Sequence, residues 1–252
     1  MFGWRKRLGY ISPGALEISV YDFYMVAPPG VGLVALSAPI SDWEGGEYRK
    51  NLDQVEAAAA YLARRHVDMV IHAGAPPVAS RGAAYMHELV EMMARTTGLP
   101  ASTALHSAME AFRALGAQRV AVVTPFPAET HRAVVSVVAE EGFTIEQEER
   151  MEADFFTLHE AGRRQVFDFV TRALRRAPRA EVAYVPCPQW QVFEMAPELE
   201  KDARMPLVTS DGGDFWYAFK TLGTTDVRPG HGILLDSLLE PAAAPGPAGG
   251  QR

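Results

Sequence analysis

The feature that most constrains this chain is an internal repeat whose pieces keep their order. Leu8 to Pro13 (LGYISP) matches Val120 to Pro125 (VAVVTP), each an apolar run closing on Ser/Thr-Pro. Val67 to Gly74 (VDMVIHAG) parallels Glu181 to Cys187 (EVAYVPC). Leu99 to Thr103 is echoed by Met205 to Thr209, and Ala111 to Gly116 (AFRALG) by Ala218 to Gly223 (AFKTLG). Repeats in a fixed order indicate two copies of one structural unit. Between the apolar runs lie segments with helical spacing: Leu52 to Arg64, Ala83 to Thr96, His131 to Glu141 and Arg164 to Arg176. Short apolar strands alternating with helices read as βαβ units around a parallel sheet. The expected fold is therefore α/β, with two pseudo-symmetric lobes, each a parallel sheet flanked by helices. Lobe one is expected to comprise residues 1–112 plus 216–238, and lobe two residues 113–215.

Open parallel sheets bind ligands beyond the carboxyl ends of their strands. The loops at Ser12-Pro13, Gly74, Thr124-Pro125 and Cys187 should thus meet in one cleft between the lobes. Gly74 and Cys187 hold the same place in the two repeats.

Bulk properties exclude several classes. A net charge of −7 argues against a nucleic-acid partner. The cluster Arg5, Lys6, Arg7 is followed by no long apolar run, so neither a signal peptide nor a membrane anchor is expected. One cysteine in 252 residues rules out an internal disulfide and a CxxC metal site. Together these suggest a cytoplasmic protein with a reduced thiol. Residues 239–252, rich in Pro, Ala and Gly, read as a disordered tail. His72, His106 and Asp211 lack ligand spacing, so no metal is expected. Gly45-Gly46 and Gly212-Gly213 suit tight turns rather than phosphate cradles.

The stretches GAPPVASRG (from Gly74), GLPASTA (from Gly98), ALGAQRVAVVTPF (from Ala114), YVPC (to Cys187), MPLVTSDGGDFW (from Met205) and RPGHG (from Arg228) carry a resemblance. Over about Leu8 to Leu235 the chain resembles the aspartate/glutamate racemase superfamily, within it the arylmalonate decarboxylase and maleate isomerase family. The resemblance implies a cofactor-independent enzyme acting at the carbon next to a carboxylate of a small acid, and it leaves room for a homo-oligomer. Two-base racemases of the superfamily carry a cysteine on each pseudo-symmetric loop. Here those positions are Gly74 and Cys187, the glycine-plus-cysteine pattern of the decarboxylase. The implied reaction is decarboxylation of a malonate-like diacid, with Cys187 as proton donor. An isomerase or racemase of a small carboxylic acid, pairing Cys187 with His106 or Asp211, is the alternative, and a catalytically inactive acid-binding protein is the third.

The family's anion hole does not carry over intact. Its hydroxyl positions read Ala75 and Pro76, its tyrosine reads Phe126, and the glycine after its cysteine reads Pro188. Proline lacks even the backbone N–H. Ser12, Tyr48, Thr124, Gln189, Trp190 and Ser210, with the Ala75 and Gln189 amides, are the candidate replacements. Tyr48 is the one family-like donor that remains, or else a packing tyrosine. Trp190 reads equally as an aromatic wall or as core. His72 reads as a core histidine.

Overall fold

The computed structural model describes residues 2–239, so all but Leu239 of the segment expected to be disordered lies outside the described residues. The first half begins with β1 (Lys6–Ser12), α1 (Glu17–Val26), β2 (Val31–Ser37) and α2 (Gly45–Arg64). It continues through β3 (Met69–His72), α3 (Ala75–Ala79), α4 (Gly82–Thr97), β4 (Ala101–Thr103) and α5 (Ala104–Ala114). The second half begins with β5 (Arg119–Thr124), α6 (Ala128–Glu140), β6 (Thr144–Arg150) and α7 (Arg163–Leu174). It ends with β7 (Val182–Val185), α8 (Val192–Ala203), β8 (Leu207–Thr209), α9 (Ser210–Leu222) and α10 (Ile233–Asp236).

Each half forms a four-stranded parallel sheet. The orders are β2-β1-β3-β4 and β6-β5-β7-β8, which are the same order by position in the repeat. The duplication read from sequence is thus a duplication of topology. In both sheets the strand order reverses between the first and third strands of the unit, β1 with β3 and β5 with β7. A crevice opens at such a reversal, because consecutive connections leave toward opposite faces.

Local chemistry repeats as well. Thr103 caps α5 by accepting the His106 amide, and Thr209 caps α9 by accepting the Gly212 amide. Each hydroxyl satisfies one of the orphan N–H groups of a helix start. These helices then join the halves. Phe112 of α5 stands edge-on to Tyr184 of β7, with ring centroids 5.4 Å apart. Phe215 and Phe219 of α9 pack against Phe23 of α1 at 5.3 and 5.8 Å. The central strands β3 and β7 are wholly buried, as their apolar runs require. No helix among the described residues is long and apolar enough to cross a membrane.

Candidate active site

Cys187 sits two residues past the end of β7, where the chain enters a single 3₁₀ turn, Pro188–Trp190. Its amide donates to the Val185 carbonyl at 3.0 Å, and its carbonyl accepts the Trp190 amide at 3.3 Å. The side chain is buried. Burial pushes the thiol up to about 12, against the pull of the Trp190 and Gln189 amides that face the sulfur. Loss of solvation outweighs those two dipoles, so the group is a thiol at neutral pH.

Gly74 occupies the equivalent position past β3, with φ +82°. A side chain there would be strained on backbone grounds alone. It would also meet Pro13, since a Cβ built on Gly74 falls 2.9 Å from Pro13 Cδ and closer still to Cγ. The loop after β1 therefore fills the space that a second thiol would need.

Both residues face one cleft of about 450 Å³. Six residues singled out from sequence line it: Ser12, Gly74, Phe126, Cys187, Pro188 and Gln189. The Gly14 amide donates to Ser12 Oγ at 3.2 Å, which leaves the Ser12 proton for another acceptor. The Gln189 carboxamide reaches Glu17 at 3.4 Å. The rest of the wall is largely aromatic and aliphatic, with Trp43 meeting Phe126 at 5.2 Å and Phe155 at 4.9 Å. Among the described residues no lysine or arginine lines this cleft.

Five other candidates lie elsewhere. Tyr48 lines a neighbouring cavity of about 720 Å³, and its hydroxyl shares a 3.0 Å hydrogen bond with Thr130. Thr124 Oγ1 is 2.8 Å from His131 Nδ1 and also accepts the Phe126 amide. Trp190 packs against Phe169, the core alternative of its two readings. Ser210 and Ala75 are buried outside the cleft lining. His72 is a core histidine: its Nε2 meets Asn51 Oδ1 at 2.9 Å, and burial lowers it to about 4. His106 bonds Ser102 at 2.9 Å, and Asp211 bonds Tyr10 and Ser19, so neither stands opposite Cys187 in the cleft. Among the described residues no group of three or more His, Cys, Asp or Glu side chains could hold a metal ion.

The family model for arylmalonate decarboxylase matches residues 13–235. The chain belongs to the arylmalonate decarboxylase family. The arylmalonate decarboxylase of Bordetella bronchiseptica is 30% identical over 166 residues, which are 62% of this chain and 66% of that protein. The chain thus aligns with just under two thirds of that relative's length. A liganded arylmalonate decarboxylase variant, with a glycine changed to cysteine and a cysteine to serine, superposes with a TM-score of 0.86. It is 24% identical over 92% of this chain and 99% of its own. The maleate isomerase of Pseudomonas putida S16 follows at 0.84, with 22% identity over 93% and 99% of the two chains. At these identities the structures establish the shared α/β fold.

Within this member of the arylmalonate decarboxylase family, sequence reading missed several cleft residues. Ser19 and Trp43 come from the turns and helices that follow β1 and β2, and Phe155 and Phe156 from the segment after β6. The signal for the aromatics was present as a Phe-Phe pair in an otherwise polar stretch. Ser19 gave none.

Proposed function

We propose that the chain decarboxylates a malonate-like diacid, with Cys187 giving its proton to one face of the carbon left behind. The single observation that carries this reading is the pairing of a protonated, buried Cys187 with a Gly74 whose opposite position is closed by Pro13. A thiol held in its neutral form is a proton donor rather than a nucleophile, since the thiolate is the nucleophilic species. A site with one donor and no room for a second suits delivery to one face.

In the proposed reaction, loss of CO2 leaves an enediolate, and its growing charge needs preorganised donors. The Ser12 hydroxyl and the Gln189 carboxamide are the neutral donors assigned here, with Gly74, Phe126 and Pro188 shaping the wall. Among the described residues no lysine or arginine lines the cleft and His159 is its one basic side chain, so the second carboxylate meets mainly apolar groups, which favours its departure as neutral CO2. The aromatic lining favours a diacid with a hydrophobic or aryl substituent.

Phenylmalonate and related diacids incubated in deuterated water provide the test. CO2 release with one deuterium at the product carbon is expected, and Cys187→Ala should slow it by about 10²–10⁴. Deuterium exchange without CO2 release would shift the assignment to an isomerase. Ligand-induced thermal stabilisation with no turnover across a broad panel would leave only an acid-binding protein.

A further inference from the structure

The cavity beside the cleft is the larger of the two, about 720 Å³, and the proposed chemistry does not use it. It lies where α2 and α3 of the first half meet α6 of the second. Trp43 and Pro76 line both spaces and so form a shared partition. Arg49 and Arg81 line the cavity, whereas among the described residues no lysine or arginine lines the cleft. Glu44 and Glu129 line the cavity as well. These four charged side chains are not equivalent. Glu44 is the N-cap residue of α2, and Glu129 lies in the first turn of α6. A helix start presents about half a positive charge, so the helices themselves account for both glutamates. Arg81 is the N-cap residue of α4, where the same dipole opposes its charge. Arg49 lies in the second turn of α2. Among the described residues neither arginine forms an ion pair. The Arg81 guanidinium lies over the Tyr85 ring at 4.6 Å, which steadies it while leaving the donors along its edge available.

The neutral groups of the lining also lack an acceptor. Tyr48 and Thr130 are 4% and 5% exposed and both line the cavity. They carry two hydroxyl hydrogens between them, and their 3.0 Å hydrogen bond uses one. The other has no acceptor among the described residues. Ser80 is already engaged, donating to the Pro77 carbonyl at 2.7 Å. Neither α2 nor α6 has a side-chain cap, so the first amides of both helices are left for an external acceptor. Trp43, Leu52, Pro76 and Ala133 make the rest of the wall apolar.

We infer that this cavity is a second binding site, for a small dicarboxylate, distinct from the cleft that holds Cys187. Each arginine takes one carboxylate, and the spare hydroxyl hydrogen of the Tyr48–Thr130 pair goes to one of them. The hydrocarbon between the carboxylates lies against Trp43 and Leu52. Two unpaired guanidiniums call for two anionic groups, and a carboxylate matches the forked N–H donors of arginine. Glu44 and Glu129 repel any further negative charge, which limits the ligand to two. The inference stands apart from the decarboxylase reading, since no bond to carbon changes here and Cys187 takes no part.

Calorimetric titration with succinate tests it. Succinate carries two carboxylates and, unlike a malonate, cannot lose CO2 to leave an enediolate. Wild-type protein should bind it at a single site. Arg49→Gln and Arg81→Gln should each weaken that binding about tenfold or more, as expected when a charged hydrogen-bond donor is lost. Both side chains are exposed, so neither change should move the melting temperature of the protein alone. Ser12→Ala, which alters only the cleft, should leave the affinity for succinate unchanged. Acetate and inorganic phosphate should each bind about tenfold more weakly than succinate, or less. No succinate binding, or binding indifferent to both arginine variants, overturns the site. Binding that Ser12→Ala removes and the arginine variants spare belongs to the cleft and overturns it too. Acetate or phosphate binding as tightly as succinate overturns the dicarboxylate assignment. If no malonate-like diacid is turned over, the decarboxylase reading fails, and the succinate titration still decides the second site.

Discussion

Cys187 is a weak acid by virtue of where the chain puts it. A thiol pushed up to about 12 is ionised to roughly one part in 10⁵ at pH 7. Alkylation by iodoacetamide should therefore be slow at neutral pH and rise about tenfold per pH unit until near 12. A rate that levels off near pH 8 would show an ordinary exposed thiol. Cys187→Ala should lower kcat by about 10²–10⁴ while leaving the melting temperature nearly unchanged, since only a sulfur atom leaves the core. Ser12→Ala removes a hydroxyl whose hydrogen has no acceptor among the described residues, and should cost about 10² in kcat, with less effect on KM. An effect confined to KM would mean that Ser12 binds substrate and transition state equally. The Gly74 and Cys187 pair was legible because the repeat aligns them. The place of Tyr48 in a neighbouring cavity was not legible, because its partner, Thr130, lies 82 residues away and carries no sequence mark of the contact.

At the level of elements, legibility followed burial. The central strands β1, β3, β5 and β7 are apolar on both faces and stand out as short hydrophobic runs. β6 reads TIEQEER, lies at a sheet edge and is half-exposed, so no period or apolar run betrays it. The caps were visible as Thr103 and Thr209 in the repeat, though their partners were not. Each accepts the amide three residues on, so Thr103→Ala and Thr209→Ala should each cost about 1 kcal/mol in urea unfolding. Gly74 is the sharper case. It joins β3 to α3 at φ +82°, with Pro13 against the missing side chain. Gly74→Ala should destabilise by about 1–3 kcal/mol, and Gly74→Cys by at least as much. A stable Gly74→Cys protein with racemase activity would mean that the loop after β1 yields easily.

Over the whole molecule, the two lobes are joined through a polar interior as well as an aromatic one, and the polar part makes stability depend on pH. Burial, then repulsion from Asp211 and Glu194, pushes the Asp22 carboxyl up from 3.8 to about 9. The folded chain keeps a proton there that the unfolded chain releases near pH 4. The stability linked to that proton is complete below about pH 4 and is gone once pH passes 9. His72 acts oppositely: burial lowers it from 6.5 to about 4, so its contribution is complete above pH 6.5 and lost as pH falls toward 4. The two trends oppose each other between pH 4 and 6.5. From pH 6.5 to 9 Asp22 acts without that opposition, joined by Asp214, which burial raises in the same direction. The unfolding free energy should fall through this range by roughly 1–2 kcal/mol per pH unit. Asp22→Asn, which needs no proton to stay neutral, should flatten the slope and make the protein relatively more stable at pH 9 than at 6.5. Chemical unfolding at four or five pH values would decide it. A wild-type stability that rises between pH 6.5 and 9 would mean that Asp22 is ionised in the fold, and the interior that joins the lobes would then have to hold a charge that nothing near it balances.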